Sequence, residues 1–312
     1  MKLLKILTQT DAPPGNESAV RELIINEIKD YVDEIQVDVL GNVIARKTGN
    51  GKKLMLCTHM DEVGIIAMSV DNNNHVHFSA LGDVKPNALQ YSTVKFLSAG
   101  FGVMAKSVEN SEKMSDLYVD IFKCKGESLV GEPAVFVPNY TVFGDCIATK
   151  AMSSRIGCYI LIETLKNISE TNNDLYFVFT AQNNLGQRGA KVAAAAVMPD
   201  YAISVGCTEA DDAKLKLGGG AAIKIMDGSV ICHPFIKNLL KDCADAEKLS
   251  IQYEITEKEK TETGTIQAVG TGAIAGGLSV PLKYRNTAVE TANILDIQDA
   301  AKILKRACTA TL

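Results

Sequence analysis

Residues 54–64 carry the pattern with the clearest chemical meaning. They read LMLCTHMDEVG, so an apolar run leads directly into His59-x-Asp61. A strand that ends in His-x-Asp presents an imidazole at the carboxyl end of a sheet, and the carboxylate two residues on can orient the ring. The spacing therefore suits a metal ligand and its supporting acid. Taken alone, the pattern is explained better by a polar loop after a strand.

A second group of possible ligands follows a later strand. Cys207, Glu209, Asp211 and Asp212 are close in sequence, and together with His59 they would suffice for a mononuclear metal site. We favour the plainer interpretation, a polar loop with a small buried cysteine. A nucleophilic Cys207 with His59 as its base is a weaker alternative, because nothing in the sequence indicates an activated thiol.

Three other motifs lack the context that their chemistry needs. Ser153 and Ser154 stand outside any G-x-S-x-G elbow. The glycines at 218–220 are not followed by G-K-[ST], so they do not form a phosphate loop. His75-x-His77 would share one face of a strand, and we interpret these two histidines as surface residues of a hairpin.

The elements around these residues predict an α/β protein. Helical spacing of apolar residues predicts helices over 17–32, 151–165, 234–246 and 295–308. Strand-like runs alternate with helices at both ends of the chain, which indicates a mainly parallel sheet covered on both faces. Between residues 71 and 147 only short strand-like runs and polar turns occur, which predicts a separate small β module.

Composition excludes several classes of partner. The 312 residues carry a net charge of −5, which does not suit a phosphate backbone, so we expect no nucleic acid partner. No apolar run approaches the roughly 20 residues that span a bilayer, so we expect no membrane partner. The eight cysteines form no C-x-x-C pair, and we expect them to be reduced in a cytoplasmic protein.

HMDEVG closely resembles the tetrahedral aminopeptidases, a family of co-catalytic metallopeptidases also known as glutamyl aminopeptidases or, loosely, as cellulases or endoglucanases. Further similar segments follow in order: VDEIQVDVLGNVIARK, DLYVDI, VGEPAVF, KAMSSRIGCYI, AQNNLGQRGA, KLGGGAAIKIMDGS and VPLKYRNTAVE. The resemblance implies a three-layer peptidase-like domain at residues 1–67 and 148–312. It also implies an inserted β-barrel-like domain at residues 68–147.

The resemblance assigns six metal-ligand positions, and five of them are changed here. His59 matches the family's first His, with Asp61 as its orienting acid. The other positions carry Ser153 for the bridging Asp, Asn183 and Asn184 for the adjacent Glu pair, Gly206 for the next Asp and Asn286 for the last His. Asn183 stands at the position of the general base. Neighbours such as Arg155 and Gly157 still match.

The same resemblance places Glu262, Gly219 and Gly220 in the substrate pocket. Glu262 stands where the family carries an Asp beside the substrate's amino group. The two glycines match a Gly-rich segment at the pocket edge. A solvated loop for Glu262 and a tight turn for the glycines are the alternatives.

These changes predict a degenerate metal site. Serine and glycine supply no anionic ligand, and asparagine cannot act as a general base. One imidazole does not hold zinc, which takes three or four protein ligands. We therefore predict a catalytically inactive aminopeptidase homologue that needs no cofactor, with Asp61 and Asn183 as vestiges of catalysis. The alternative is an active metal-dependent aminopeptidase with a rebuilt zinc or cobalt site.

An inactive homologue would act as a structural or regulatory subunit or as a peptide binder. By resemblance, it would assemble with itself or with an active paralogue.

Overall fold

The computed structural model describes residues 1–107, 113–121, 129–168, 170–257 and 259–312. Within these residues, twelve strands form one sheet and six others close a barrel. Labels follow chain order. The path through the sheet is β1 (Glu34–Val37), β2 (Val43–Lys47), β12 (Asp174–Thr180), β3 (Lys53–His59), β13 (Tyr201–Glu209), β17 (Ile274–Lys283), β18 (Glu290–Asn293), β11 (Cys146–Thr149) and β10 (Thr141–Phe143). Off this path lie β14 (Ala221–Asp227), β15 (Val230–Ile231) and β16 (Ile251–Ile255).

The barrel contains the remaining strands and has a core of its own. They are β4 (Gly64–Val70), β5 (His75–Leu81), β6 (Thr93–Phe96), β7 (Gly100–Lys106), β8 (Leu117–Ile121) and β9 (Pro133–Phe136). Alternate residues such as Val76, Phe78 and Val119 fill its interior. The barrel follows β3 directly in the chain. The domain boundaries at 67/68 and 147/148 stay a prediction.

Eight helices accompany the strands in the described residues. They are α1 (Lys2–Gln9), α2 (Ser18–Ile28), α3 (Pro86–Leu89), α4 (Met152–Asn167), α5 (Arg188–Val197), α6 (Pro234–Ala246), α7 (Glu262–Gln267) and α8 (Ile294–Thr309). None of the described helices is long and apolar enough to cross a membrane. The described cysteines are all free, and Cys124 lies outside the described residues.

The predicted α/β class with a small barrel is confirmed, and its sheet is mixed. Strands β12, β3, β13 and β17 run parallel to one another at its centre. The pairs β1–β2, β2–β12, β17–β18, β18–β11 and β11–β10 are antiparallel. Short connections at the flanks, such as the turn between β10 and β11, permit antiparallel pairing. Only the strands joined by helical crossovers must be parallel.

Helices cover both faces of the sheet, which makes three layers. In β3, Leu54 and Leu56 face the core that α2, α4 and α8 share. Met55 and Cys57 face the opposite core, formed with α5 and α7. Strand side chains alternate between the two faces, so a strand buried on both sides reads as one apolar run.

Helix α4 lies close against the central strands. A Cβ atom on Gly157 would stand 2.0 Å from Thr58 Oγ1 and 2.8 Å from the carbonyl oxygen of Val205. Only glycine permits this approach of the helix to β3 and β13. The approach fixes the first turn of α4, and with it Ser153, beside the ends of these strands.

A buried ion cluster joins the barrel to the α/β layers. Lys150 Nζ lies 2.6 Å from Asp11 and 3.0 Å from Glu62, and Arg155 Nη2 lies 3.2 Å from Glu62. From barrel strand β6, Lys95 reaches Asp11 at 2.8 Å. The Lys150 and Arg155 side chains are fully buried, so their charges depend on these partners.

Candidate functional site

The six predicted ligand positions meet at one edge of the sheet. His59 is the last residue of β3, and a 3-10 turn directly after β12 carries Asn183 and Asn184. Gly206 lies in β13. Ser153 lies in the first turn of α4, and Asn286 follows β17. The carboxyl ends of adjacent parallel strands meet at this edge, which is where α/β proteins build their sites.

Two cavities with several lining residues in common open at this edge. The outer cavity has a volume of about 560 Å³ and reaches His59, Ser153, Asn183, Asn184 and Asn286. The inner cavity is about 40 Å³, and Gly206 lies in its wall together with His59, Ser153 and Asn183. The outer cavity has the size of a small-ligand site. The inner cavity suits a single small group.

Hydrogen bonds to Asp61 fix the positions of Asn183 and Asn184. The Asp61 side chain is fully buried and accepts hydrogen bonds from the backbone N–H groups of Asn183 and Asn184, both at 2.8 Å. The side chain of Asn184 also donates to it at 2.9 Å. Burial by itself would raise the pKa of Asp61. The neighbouring His59 and the two backbone amides outweigh burial and lower this pKa below its ordinary value.

His59 is oriented by the same carboxylate. Its Nδ1 lies 3.0 Å from the backbone carbonyl oxygen of Asp61 and 3.5 Å from Asp61 Oδ1. Burial favours the neutral ring, but the hydrogen bond and charge of Asp61, together with the charge of Glu262, favour the imidazolium. The net effect raises the pKa of His59.

Glu290 was not identified from the sequence, and it plays the matching role on the other side. Its carboxylate is 1% exposed and accepts from the backbone N–H of Ser153 at 2.8 Å and of Asn286 at 2.6 Å. Burial outweighs these bonds and raises the pKa of Glu290. The one feature of the sequence that could have indicated this role is the acidic residue at the start of the buried strand β18. Two buried acids, Asp61 and Glu290, therefore fix four of the six ligand positions.

The backbone around the site is strained. Ala151, Gln182, Tyr284 and Asn286 have φ values of 59°, 55°, 58° and 61°. Non-glycine residues in this left-handed region cost about 1–3 kcal/mol each and persist where the surrounding structure requires them. Ala151 and Gln182 precede Ser153 and Asn183, and Tyr284 and Asn286 lie in the turn after β17. The backbone conformation at the ligand positions is thus maintained at a cost in the free energy of folding.

Glu262 lies at the cavity, and its environment differs from a solvated loop. It is 4% exposed at the start of α7 and lines the inner cavity. Thr180 donates a hydrogen bond to one of its oxygens, and Cys57 Sγ lies 3.7 Å from the other. Burial, opposed by the charge of His59, raises the pKa of Glu262.

Gly219 and Gly220 lie in a loop beside α8, and their role in a substrate pocket stays a prediction. Neither glycine lines the two cavities at His59. Their loop turns toward α8, where the N–H groups of Gly218 and Gly220 both donate to Asp296 at 2.8 Å. The Asp296 carboxylate on α8 therefore fixes the conformation of this loop. No local sequence pattern predicts this contact.

The possible substitute ligands are not brought together. Asp211 accepts backbone N–H groups of its own loop, and Asp212 forms an ion pair with Lys283. Cys207 is buried, and burial raises the pKa of its thiol. Glu209 alone reaches the outer cavity. His75 and His77 pair with Asp71 on the β4–β5 hairpin.

A barrel inserted directly after a His-x-Asp strand, with a polar site at the carboxyl edge of the sheet, defines the aminopeptidase type of α/β protein. Residues 41–303 match the model of the M42 glutamyl aminopeptidase family. The chain belongs to this family.

Relatives and solved structures agree over nearly the whole chain. A putative aminopeptidase of Acetivibrio thermocellus is 39% identical, over 98% of this chain and 97% of its own length. An aminopeptidase of the archaeon Desulfurococcus kamchatkensis superimposes with a TM-score of 0.95 at 28% identity, covering 99% of this chain and 94% of that one. The TET1 peptidase of Pyrococcus horikoshii, which can assemble into a tetrahedron or a large octahedral shell, gives 0.90 at 27% identity, covering 98% of both chains.

The prediction that the protein takes no cofactor is wrong. Homologues in this family are metal-dependent aminopeptidases, so the family points to a metal cofactor. The changed ligand positions suggest a site without a metal, whereas the family to which the chain belongs is metal-dependent.

The described residues nevertheless do not fit the usual pair of divalent cations. No three His, Cys, Asp or Glu side chains within the described ranges are grouped so that they could hold a metal ion. In the part of its wall that the structure describes, the inner cavity has the cations Lys224, Lys260 and Arg285, with Glu262 as the one carboxylate. Two cations about 3.5–4 Å apart need several carboxylates to offset four positive charges.

Proposed function

We propose that this chain is a family member whose pocket binds ligands without hydrolysing them by the family's two-metal route. One observation carries the proposal. Ser153, Asn183, Asn184, Gly206 and Asn286 surround the same cavities as His59, yet none of these five residues supplies a carboxylate or an imidazole. Without an acidic general base, no side chain at position 183 can take a proton from an attacking water.

The retained scaffold supports a pocket that is still used for binding. Asp61 and Glu290 hold the backbone of four ligand positions, and four strained residues keep the turns in place. A pocket that had become useless would gain stability by losing this strain. In this proposal Asp61 and Asn183 are vestiges of catalysis that now serve the shape of the pocket.

Restoring the family's ligands tests the proposal. The variant Ser153→Asp, Asn183→Glu, Asn184→Glu, Gly206→Asp and Asn286→His rebuilds the predicted set around His59. A Cβ atom at Gly206 meets no atom within 4 Å, so the new side chain has room there. We expect cobalt- or zinc-dependent hydrolysis of aminoacyl-nitroanilides by this variant and none by the unchanged protein. A second version that also carries His59→Ala is the matched control and should be inactive.

A second candidate is an active metal-dependent aminopeptidase with a rebuilt site. The family assignment favours it, and so do the carboxylates Asp83, Glu209 and Glu259 at the outer cavity. It predicts turnover by the unchanged protein that EDTA abolishes, which the first candidate excludes.

The proposal includes assembly into a homo-oligomer in the cytoplasm. The Pyrococcus horikoshii relative forms large closed shells, and the free cysteines suit a reducing compartment. Assembly with an active paralogue is the alternative. Sedimentation of the purified chain separates the two, since self-assembly needs no second protein. A monomer that stays monomeric at high concentration would contradict the homo-oligomer.

A further inference from the structure

Cationic residues outnumber carboxylates in the described lining of the inner cavity. Its described lining includes Lys224, Lys260 and Arg285 but only one acid, Glu262. The Glu262 carboxylate is buried and already accepts a hydrogen bond from Thr180. A site for divalent cations requires the opposite balance. The wall beside His59 is therefore cationic where the family's chemistry calls for carboxylates.

Arg285 is placed to act on a ligand. Arg285 is among the residues that line both cavities, and its Nη1 lies 2.5 Å from Glu259 Oε2. Its Nε is buried and has no hydrogen-bond partner among the described residues. An unsatisfied buried N–H costs free energy unless a ligand or a water accepts from it. The planar fork of arginine suits a carboxylate or phosphate, which accepts two parallel hydrogen bonds.

The other donors face the same space. Lys260 is exposed and lines both cavities. His59 and Asn183 also line both cavities. Lys224 is less available, because it forms a buried pair with Glu254. Lys85 adds a further cation at the outer cavity, where the carboxylates Asp83, Glu209 and Glu259 balance the cations. The excess of cationic residues is therefore confined to the inner cavity. The donors that line the inner cavity thus come from the loop before α7, the end of β3, the turn after β12 and the turn after β17.

We propose that this site binds the carboxylate of a peptide, held by Arg285 and Lys260 beside His59 and Asn183. The inner cavity accepts the carboxylate, and the outer cavity takes the residues that precede it. This inference rests on the proposed function, since a pocket that hydrolyses peptides from their amino end would place the ammonium group here.

Calorimetric titration of the full chain tests the site with three capped peptides of one sequence. The first has an acetylated amino end and a free carboxylate, the second is acetylated and amidated, and the third has a free amino end and an amide. We expect the free carboxylate to bind at least about tenfold more tightly than either amide, as for a charge-assisted arginine contact. Inorganic phosphate should compete with it, because both are oxyanions.

Two variants and one control assign the effect to the proposed residues. Arg285→Met should remove the preference for the carboxylate, and Lys260→Met should reduce it severalfold. Lys260 is exposed, so its replacement leaves folding intact even if the Arg285 variant fails to fold. Lys305→Met removes an exposed charge from α8 and should change nothing.

Equal affinity for the carboxylate and the amides, or tighter binding of the free amino end, would overturn the inference. Phosphate binding without any preference for the peptide carboxylate would also overturn it. None of these results bears on hydrolysis, which is measured separately with nitroanilides. The failure of this inference and the failure of the proposed function are therefore distinguishable.

Discussion

Asp61 and His59 form the one acid–imidazole pair that the site retains, and their charges depend on each other. The raised pKa of His59 means that its contribution to stability is complete below about 6.5, the pKa of an unperturbed imidazole, and is lost as pH rises through the folded value. Asp61 behaves in the opposite sense. Its lowered pKa gives a contribution that is present above the unfolded pKa and is lost as pH falls through the folded value.

Asp61→Asn should lower the pKa of His59, because the ring loses its charged partner. It should also destabilise the fold by about 2–4 kcal/mol, since the N–H groups of Asn183 and Asn184 lose a charged acceptor. NMR titration of the four histidines and urea unfolding measure the two effects. Asp71→Asn, next to His75 and His77, should leave the His59 titration unchanged. A His59 titration that did not move in the Asp61 variant would contradict this account.

The environment of Glu262 predicts how stability depends on pH. The raised pKa of Glu262 means that the native state binds a proton more tightly than the unfolded chain, so stability falls as pH rises through that region. Glu262→Gln removes this loss. We expect a higher midpoint of thermal unfolding at pH 8 and little change at pH 5, measured by calorimetry. An equal shift at both pH values would show that burial of charge is not the cause.

At the scale of the elements, α4 begins with a left-handed residue at Ala151. Glycine adopts this conformation without strain, which offsets the lost methyl group and the greater freedom of the unfolded chain. Ala151→Gly should therefore change the free energy of unfolding by less than about 0.5 kcal/mol. In the right-handed interior of α8, Ala301→Gly should cost about 1 kcal/mol. Equal losses for the two variants would contradict the strain at Ala151.

The sequence predicts the elements that carry strong periodicity. The closing helix was expected at 295–308 and is found at Ile294–Thr309, and the helix expected at 234–246 is found at Pro234–Ala246. Helix α1 was not predicted, since eight residues with Leu4 and Leu7 as their buried stripe are too few to show a period. Strand β10 was also missed, because all three of its residues are exposed at a sheet edge.

Some residues of the site could be predicted from the sequence, and others could not. Motif order places His59, Ser153 and the asparagines together, because each stands at a strand end or a helix start that the sequence reveals. Arg285 and Lys260 were not foreseen. The direction of the Arg285 side chain depends on the strained turn after β17, and Lys260 lies in a loop between distant elements. Contacts of this kind are decided by tertiary packing, which no local pattern reports.

At the scale of the whole molecule, the buried ion cluster lies where the barrel meets the α/β layers. Lys150→Met leaves Asp11 and Glu62 without their shared cation and should cost about 3–5 kcal/mol. The partly exposed Lys95 also contacts Asp11, and Lys95→Met should cost less than about 1 kcal/mol. Denaturant unfolding compares the two variants. Similar losses would mean that the cluster does not depend on the buried lysine.

The most direct test of the central claim is turnover by the unchanged protein. Metal-stripped protein is incubated with zinc or cobalt and assayed with a panel of aminoacyl-nitroanilides, beside a His59→Ala variant that shares its preparation. We expect the two proteins to be indistinguishable at every metal concentration, because no acidic general base faces the cavity at position 183. Turnover that requires the added metal, disappears with EDTA and is lost in the His59→Ala variant would contradict the claim and identify a working aminopeptidase.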